Sequence, residues 1–208
     1  MICRIETLNY RCLRYIDQRL ANFEVLVGPN ASGKTTFLDG VAFLKDLVTS
    51  GLDVAIRNRT ENFEDLIWNH SGDKFELAIE LKIPDELQKQ IARSFSIIRY
   101  EVSVGFDSMD KEPSILAEKV LLKEEEDENR QGMQMRLFFP VEPTPLDTLI
   151  TTRAKKNIRT VVNKVRGEMI ISTQKFIRRG AGGGHLPFGL VPGNRPSETC
   201  PRMNRSFR

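Results

Sequence analysis

A glycine-rich segment is the part of this sequence best suited to chemistry. Gly28 and Gly33 bracket the stretch GPNASGKT, in which Lys34 and Thr35 complete the spacing GxxxxGK[ST]. Glycines permit a tight backbone through which successive amide N–H groups can converge on phosphate oxygens. The sequence therefore predicts a loop that binds a phosphate chain.

Each residue type after the second glycine has a role in such a loop. The Lys34 ammonium should reach the β- and γ-phosphates, the Thr35 hydroxyl should ligate Mg²⁺, and Thr36 can donate to the α-phosphate side. A helix that begins near Lys34 adds its positive dipole end to the same anion. The candidate binding residues are Gly28, Pro29, Asn30, Ala31, Ser32, Gly33, Lys34, Thr35 and Thr36, with Thr35 as the metal ligand.

The loop needs an element on either side to hold it in place. Residues 23–28 (FEVLVG) are apolar and partly β-branched, which predicts a buried strand that ends at the loop. Residues 34–48 carry apolar side chains at spacings of three and four, which predicts a helix, and Gly51 is a plausible end for it. A first strand is predicted over 2–9, followed by a polar connection over 10–22.

The middle of the chain has a different pattern, with alternating or β-branched runs separated by turns. These runs predict an antiparallel meander, with strands over 75–83, 96–106, 114–122 and 133–139. A short helix is expected within 84–94, and the acidic run 124–128 is expected to be an exposed loop.

The C-terminal part is strongly basic. Residues 1–150 hold 18 Lys+Arg and 26 Asp+Glu, whereas residues 151–208 hold 13 and 2. Apolar spacing over 146–165 predicts a basic amphipathic helix, which could lie on nucleic acid or dock its apolar stripe on the sheet. Glycine and proline dominate 180–208, so little regular structure is expected there. The expected divisions are 1–140, a basic helical segment over 141–179, and a tail over 180–208.

Composition excludes several classes of protein. No apolar run approaches the roughly 18–20 residues that span a bilayer, and the N-terminus has no signal-peptide pattern. We therefore expect a cytoplasmic protein with no membrane partner. The odd number of cysteines, without a CxxC pair, indicates neither a zinc site nor a disulfide framework; they are Cys3, Cys12 and Cys200.

Four segments together resemble a known family: LNYRCL, GPNASGKTTFLDGVAFL, NFEDLIW and FELAIEL. They are similar to the N-terminal lobe of ABC-type AAA ATPases, which include RecF-like, structural-maintenance-of-chromosomes (SMC) and overcoming-lysogenization-defect (OLD) proteins. The resemblance is good over 1–83 and looser to about 139. It implies an α/β P-loop lobe with an antiparallel, β-rich continuation, which binds ATP with Mg²⁺ and has Arg11 near the nucleotide.

The family also needs parts that this sequence lacks. An apolar strand ending in Asp-Glu, an LSGGQ-type signature and a switch histidine are not evident. Asp85-Glu86 fits a helix start better than the Asp-Glu of such a strand, and Asn69 or His70 stands where many relatives have a glutamine. No catalytic residue is assigned. The resemblance implies that hydrolysis requires a second lobe or subunit, supplied by a homodimer or a split partner.

Two functions follow, with a third less favoured. The first is the ATP-binding portion of an AAA/ABC-type ATPase, whose relatives act on DNA in repair, chromosome maintenance or phage defence. The alternative is a non-enzymatic nucleic-acid-binding or assembly module that uses the basic C-terminal segment. A small P-loop kinase would fit the length, but it would alternate strand and helix instead of forming a meander.

Overall fold

The computed structural model describes residues 1–70, 72–89, 91, 95–107, 111–124, 146–152, 157–165 and 168–171. Contacts divide the chain into two units, Met1–Arg178 and Arg179–Arg208, and the described residues all lie in the first. The predictions for 133–139 and 180–208 fall outside the described residues.

A seven-stranded sheet forms most of this unit. Its strands are β1 (Ile2–Tyr10), β2 (Leu13–Arg19), β3 (Lys74–Lys82), β4 (Phe95–Phe106), β5 (Pro113–Glu124), β6 (Ile158–Val165) and β7 (Glu168–Ile171). They lie in the order β2-β1-β3-β4-β5-β6-β7, and every neighbouring pair is antiparallel. The consecutive pairing of β3, β4 and β5 confirms the first three strands of the predicted meander.

Strand β2 corrects the prediction of a polar connection over 10–22. Residues Leu13–Arg19 pair with β1 through a tight turn at Arg11 and Cys12, and Leu13 lies opposite Tyr10. The sequence pattern is weak here because β2 is at the edge of the sheet, where several side chains stay in solvent. Charged side chains are common on edge strands because they discourage pairing with another chain.

Helix α1 (Lys34–Ser50) covers one face of the sheet. It confirms the predicted helix, and Gly51 follows it with a φ of 88°. The apolar face of α1 packs on alternate residues of β1, β3 and β4, and burial of these large side chains drives the packing. The core contains Ile5, Tyr10, Phe37, Phe43, Leu44, Leu47, Phe75, Leu77, Ile79, Val102 and Val104.

The opposite face of the same strands is charged. Arg99 donates to Glu6, to Glu80 at 3.1 Å and to Glu101 at 2.6 Å, and these four side chains are almost completely buried. Lys123 also donates to Glu80, at 2.6 Å. Sequence reasoning did not find this ionic face, because the side chains converge only when β1, β3, β4 and β5 pair.

Residues 146–152 lie across the ionic face as a strap. The backbone N–H of Leu149 donates to Glu76 at 2.5 Å, and that of Thr151 donates to Glu101 at 2.7 Å. The Glu76 carboxylate also accepts a hydrogen bond from the Thr148 hydroxyl, and the Glu101 carboxylate accepts one from the Thr151 hydroxyl. The strap therefore supplies donors to two carboxylates that would otherwise be buried with fewer partners.

The prediction of a basic helix over 146–165 is wrong. Residues 158–165 form β6, which pairs with β5, while the strap occupies the start of the range. Four of the apolar residues in β6 are β-branched, and this favours a strand once a neighbouring edge is available; they are Ile158, Val161, Val162 and Val165. The described residues of the segment 141–179 contain no helix, and β6 and β7 extend the main sheet.

The remaining helices are short. They are α2 (Leu52–Arg57), α3 (Asp85–Gln88) and two 3₁₀ turns, Phe63–Leu66 and Trp68–His70. None of the helices in the described part of the chain has the length and hydropathy needed to cross a bilayer.

Candidate phosphate-binding site

The loop from Gly28 to Gly33 leads directly into α1. Gly33 has a φ of 87°, a left-handed conformation that disfavours a side chain, and a Cβ there would lie 2.9 Å from Leu13 Cδ2. Gly28 is also constrained, because a Cβ would lie 2.9 Å from Ser32 Oγ. Gly33 therefore sits where the backbone conformation favours glycine, whereas a Cβ at Gly28 would require only a shift of the Ser32 hydroxyl.

The N-terminus of α1 is open to an anion. The described residues provide no side-chain cap, and its first turn contains no acidic residue. Uncapped N–H groups at a helix N-terminus carry partial positive charge and seek an acceptor. A phosphate group is a suitable acceptor at this position.

The Lys34 side chain folds back into the loop that precedes it. Its ammonium donates to the carbonyl oxygens of Gly28 at 2.7 Å and Pro29 at 2.6 Å, and to Ser32 Oγ at 3.2 Å. These contacts bring the only cation of the loop motif to the backbone that would surround a phosphate chain. An incoming phosphate would offer the ammonium stronger, charge-assisted acceptors than neutral carbonyls.

The two threonines differ in their surroundings. Thr35 is exposed, whereas Thr36 Oγ1 accepts a contact from the Cys12 thiol at 3.2 Å. The turn between β1 and β2 therefore lies beside the start of α1. Within the described ranges, no group of three or more His, Cys, Asp or Glu residues could hold a metal ion.

Arg11 occupies the same turn, with a φ of 52°. Its guanidinium Nη1 donates to Asp39 on α1 at 3.1 Å, and the Tyr10 hydroxyl donates to the same carboxylate at 2.7 Å. Arg59 reaches Asp39 from the other side at 2.8 Å. Sequence reasoning missed Asp39 and Arg59, although Asp39 follows Thr36 by three residues and so shares its face of the helix.

The electrostatics of this group follow from burial and charge. Burial, together with the hydrogen bond to Asp39, raises the pKa of Tyr10 well above its ordinary value. Burial opposes the charge of Arg59, but the hydrogen bond to Asp46 and the charge of Asp39 outweigh it and raise its pKa. The phenol stays protonated as a donor, and the guanidinium stays charged.

The strand predicted over 23–28 is not formed. This segment has no strand pairing, and its side chains are exposed, with Phe23 at 82% and Val27 at 88%. A buried parallel strand requires a neighbouring strand to pair with and other elements to cover its faces, and no strand in the described part of the chain pairs with this segment. The apolar pattern was recognised correctly, but the burial that it predicted is absent.

The other residues considered in the sequence are exposed and lie outside the loop motif. Asp85 and Glu86 begin α3 and are exposed, as expected of a helix start. Asn69 and His70 are exposed in the second 3₁₀ turn, with φ values of 53° and 49°. These positions give no reason to assign a catalytic acid or base.

Comparison with known proteins gives a family match and similarity to solved structures. No curated protein matches the chain in sequence. A solved structure from work on "ATP-driven dimerization and DNA stimulated activation of SMC ATPases" is similar, with 19% identity, coverage of 62% of this chain and 74% of that one, and a TM-score of 0.41. Residues 23–174 match the family described as "AAA domain, putative AbiEii toxin, Type IV TA system". Because this match spans the loop, α1 and most of the sheet, the chain belongs to this family of AAA-type ATPase domains.

Proposed function

We propose that residues Gly28–Thr36 bind the phosphate chain of ATP together with Mg²⁺. The observation that carries this proposal is the junction at Gly33, where a left-handed glycine opens an uncapped helix beside the Lys34 ammonium. Backbone N–H groups, a helix dipole and a cation then point to one place. Thr35 is the proposed Mg²⁺ ligand, and Arg11 is an additional cation near the nucleotide.

Titration with a fluorescent ATP analogue tests this assignment. Lys34→Ala should weaken binding at least about tenfold, because it removes a charge-assisted contact to phosphate worth about 1.5–3 kcal/mol. Lys45→Ala is the matched control, since Lys45 is an exposed cation on the same helix. Equal affinity of the wild type and Lys34→Ala would refute the phosphate loop.

We further propose that hydrolysis requires a second lobe or subunit. Positioning phosphates is not sufficient without a group that orients water and stabilises transition-state charge. The exposed apolar segment 23–27 supports this view, because it precedes the loop directly and would be stabilised by neighbouring strands. The purified chain should release little phosphate from ATP. Rapid, Lys34-dependent release would contradict the requirement for a partner.

A nucleic-acid partner is the second candidate, and the observation in its favour is the excess of 13 basic over 2 acidic residues in 151–208. Since β6 and β7 belong to the main sheet, the suitable truncation keeps residues 1–178. If 179–208 carries DNA binding, this truncation should abolish salt-dependent retention of duplex DNA without changing affinity for the ATP analogue. Full retention by the shortened chain would exclude the tail as the binding segment.

A further inference from the structure

The carboxylate of Asp39 gathers three donors from three different parts of the chain. Its Oδ2 accepts from the Tyr10 hydroxyl at 2.7 Å and from Arg11 Nη1 at 3.1 Å. Its Oδ1 accepts from Arg59 Nε at 2.8 Å. One residue of α1 thereby connects the β1–β2 turn to the end of α2.

The three donors are not equally fixed. Tyr10 is completely buried, and the Arg59 side chain is 6% exposed, bonds Asp46 and the Ala55 carbonyl, and lies over the Phe43 ring. The Arg11 side chain is 38% exposed, and within the described residues Asp39 is the partner that the structure gives its guanidinium. Arg11 is therefore the donor that can leave without unpacking the core.

If Arg11 moved away, the negative charge of Asp39 would still have hydrogen-bond donors. The carboxylate would keep the Arg59 guanidinium and the Tyr10 hydroxyl, so that a partly buried charge would not lose all its partners. A variant that lacked Arg59 instead would remove a buried cation. Tyr10 and Arg59 are thus the fixed donors to Asp39, whereas Arg11 is held by a single contact near the surface.

The position of this contact links it to the phosphate loop. Asp39 follows Thr36 by three residues, which is about 4.5 Å along the helix and nearly the same face. Cys12, next to Arg11, already contacts Thr36 at 3.2 Å. A flexible arginine side chain in this turn can therefore exchange between Asp39 and an anion at the start of α1.

We propose that Asp39 is a positioning residue that holds Arg11 about one helical turn from the phosphate loop and releases it when a phosphate chain binds. This inference rests on the proposed nucleotide site and adds a mechanism of selection to it. Asp39 competes with phosphate for the same guanidinium, so only a ligand with sufficient negative charge draws Arg11 away. Nucleosides without phosphate should leave the Arg11–Asp39 pair in place.

A double-mutant cycle on the full chain tests the competition with a fluorescent ATP analogue. Asp39→Asn should tighten binding about three- to fivefold, since a partly exposed ion pair no longer retains Arg11. In an Arg11→Ala background the same Asp39→Asn change should have almost no effect. A gain of equal size in that background would mean a general charge effect and would overturn the proposal, as would weaker binding by Asp39→Asn alone.

A second measurement on the wild type does not depend on the folding of a variant. The Nε–Hε resonance of Arg11, assigned with Arg11→Lys, should shift when the ATP analogue saturates the protein and should stay unchanged with adenosine. The Arg59 resonance is the internal control and should move less than that of Arg11. An Arg11 resonance that does not respond to bound analogue would overturn the proposal. If Lys34→Ala binds the analogue as well as the wild type, the phosphate-loop assignment fails instead.

Discussion

The two faces of the central sheet are stabilised by different physics, although the same strands form both. Under α1, aliphatic and aromatic side chains such as Phe43 and Phe75 exclude water, and their ring centroids lie 5.3 Å apart. Under the strap, Arg99 and Lys123 neutralise buried carboxylates. The apolar face tolerates imprecise partners, whereas the ionic face is stable only when every charge has its partner.

The candidate site depends on the apolar face, because the loop is held in place by α1. The loop is attached to α1, and α1 packs through Phe37, Phe43, Leu44 and Leu47. The ionic face lies on the other side of the sheet, where it holds the strap. Changes on the apolar face should therefore affect both stability and nucleotide binding, whereas changes on the ionic face should affect stability alone.

The largest effect is expected from Arg99→Leu. This change leaves Glu6, Glu80 and Glu101 buried with fewer cations and should lower the free energy of unfolding by about 4–5 kcal/mol. Urea denaturation followed by circular dichroism measures it. Arg57→Leu is the control, because that side chain is 75% exposed and should change stability very little. A loss below about 1 kcal/mol for Arg99→Leu would mean that the ionic face contributes little.

A slightly smaller loss is expected from Phe43→Ala on the apolar face. The ring is fully buried between Tyr10 and Phe75, so the change creates a cavity and should lower the free energy of unfolding by about 3–4 kcal/mol. Leu38→Ala on the same helix serves for comparison, since Leu38 is 59% exposed. Equal losses in the two variants would show that α1 is not packed as described.

Thr148→Val examines the strap. The hydroxyl donates to Glu76 at 2.8 Å and accepts from the Ile150 N–H at 3.1 Å. Its removal should destabilise the protein by about 1–2 kcal/mol and should increase proteolysis near residues 146–152. Thr152→Val, at an exposed position, is the control. Unchanged stability and protease resistance of Thr148→Val would indicate that the contacts of Leu149 and Thr151 hold the strap without the Thr148 hydroxyl.

The smallest effect concerns Asp17 at the edge of the ionic face. Its two-point hydrogen bond with Arg4, at 2.7 Å for each contact, outweighs the opposing effect of burial and lowers the Asp17 pKa below the reference value of 3.8. A lowered folded-state pKa stabilises the fold above the unfolded-state value, and this contribution is lost as pH falls through the folded-state value.

Wild type should therefore exceed Asp17→Asn in stability by up to about 1 kcal/mol at pH 7. The difference should shrink as the pH falls below 3.8, and it should also be smaller at high salt. Urea titrations at several pH values measure both dependences. A difference that grows in acid would contradict the lowered pKa of Asp17.

Local pattern was sufficient for the elements that carry their own signal. Helix α1 has a clear apolar periodicity and ends before a glycine, and β3, β4 and β5 alternate strongly, so their bounds were predicted within a few residues. The prediction of a helix over 146–165 failed for a physical reason. Its apolar spacing fits a helix, but the residues are β-branched and the open edge of β5 gives them hydrogen-bond partners.

The spacing of Gly28, Gly33, Lys34 and Thr35 predicts a phosphate loop from sequence, because that chemistry needs residue types at fixed intervals along one short segment. Asp39, Arg59 and the charges around Arg99 could not be found in this way. Their partners are distant in sequence, and only strand pairing and the packing of α1 bring them within hydrogen-bond distance. The exposure of 23–27 could not be predicted either, because an apolar strand is buried only when other elements are present to cover it.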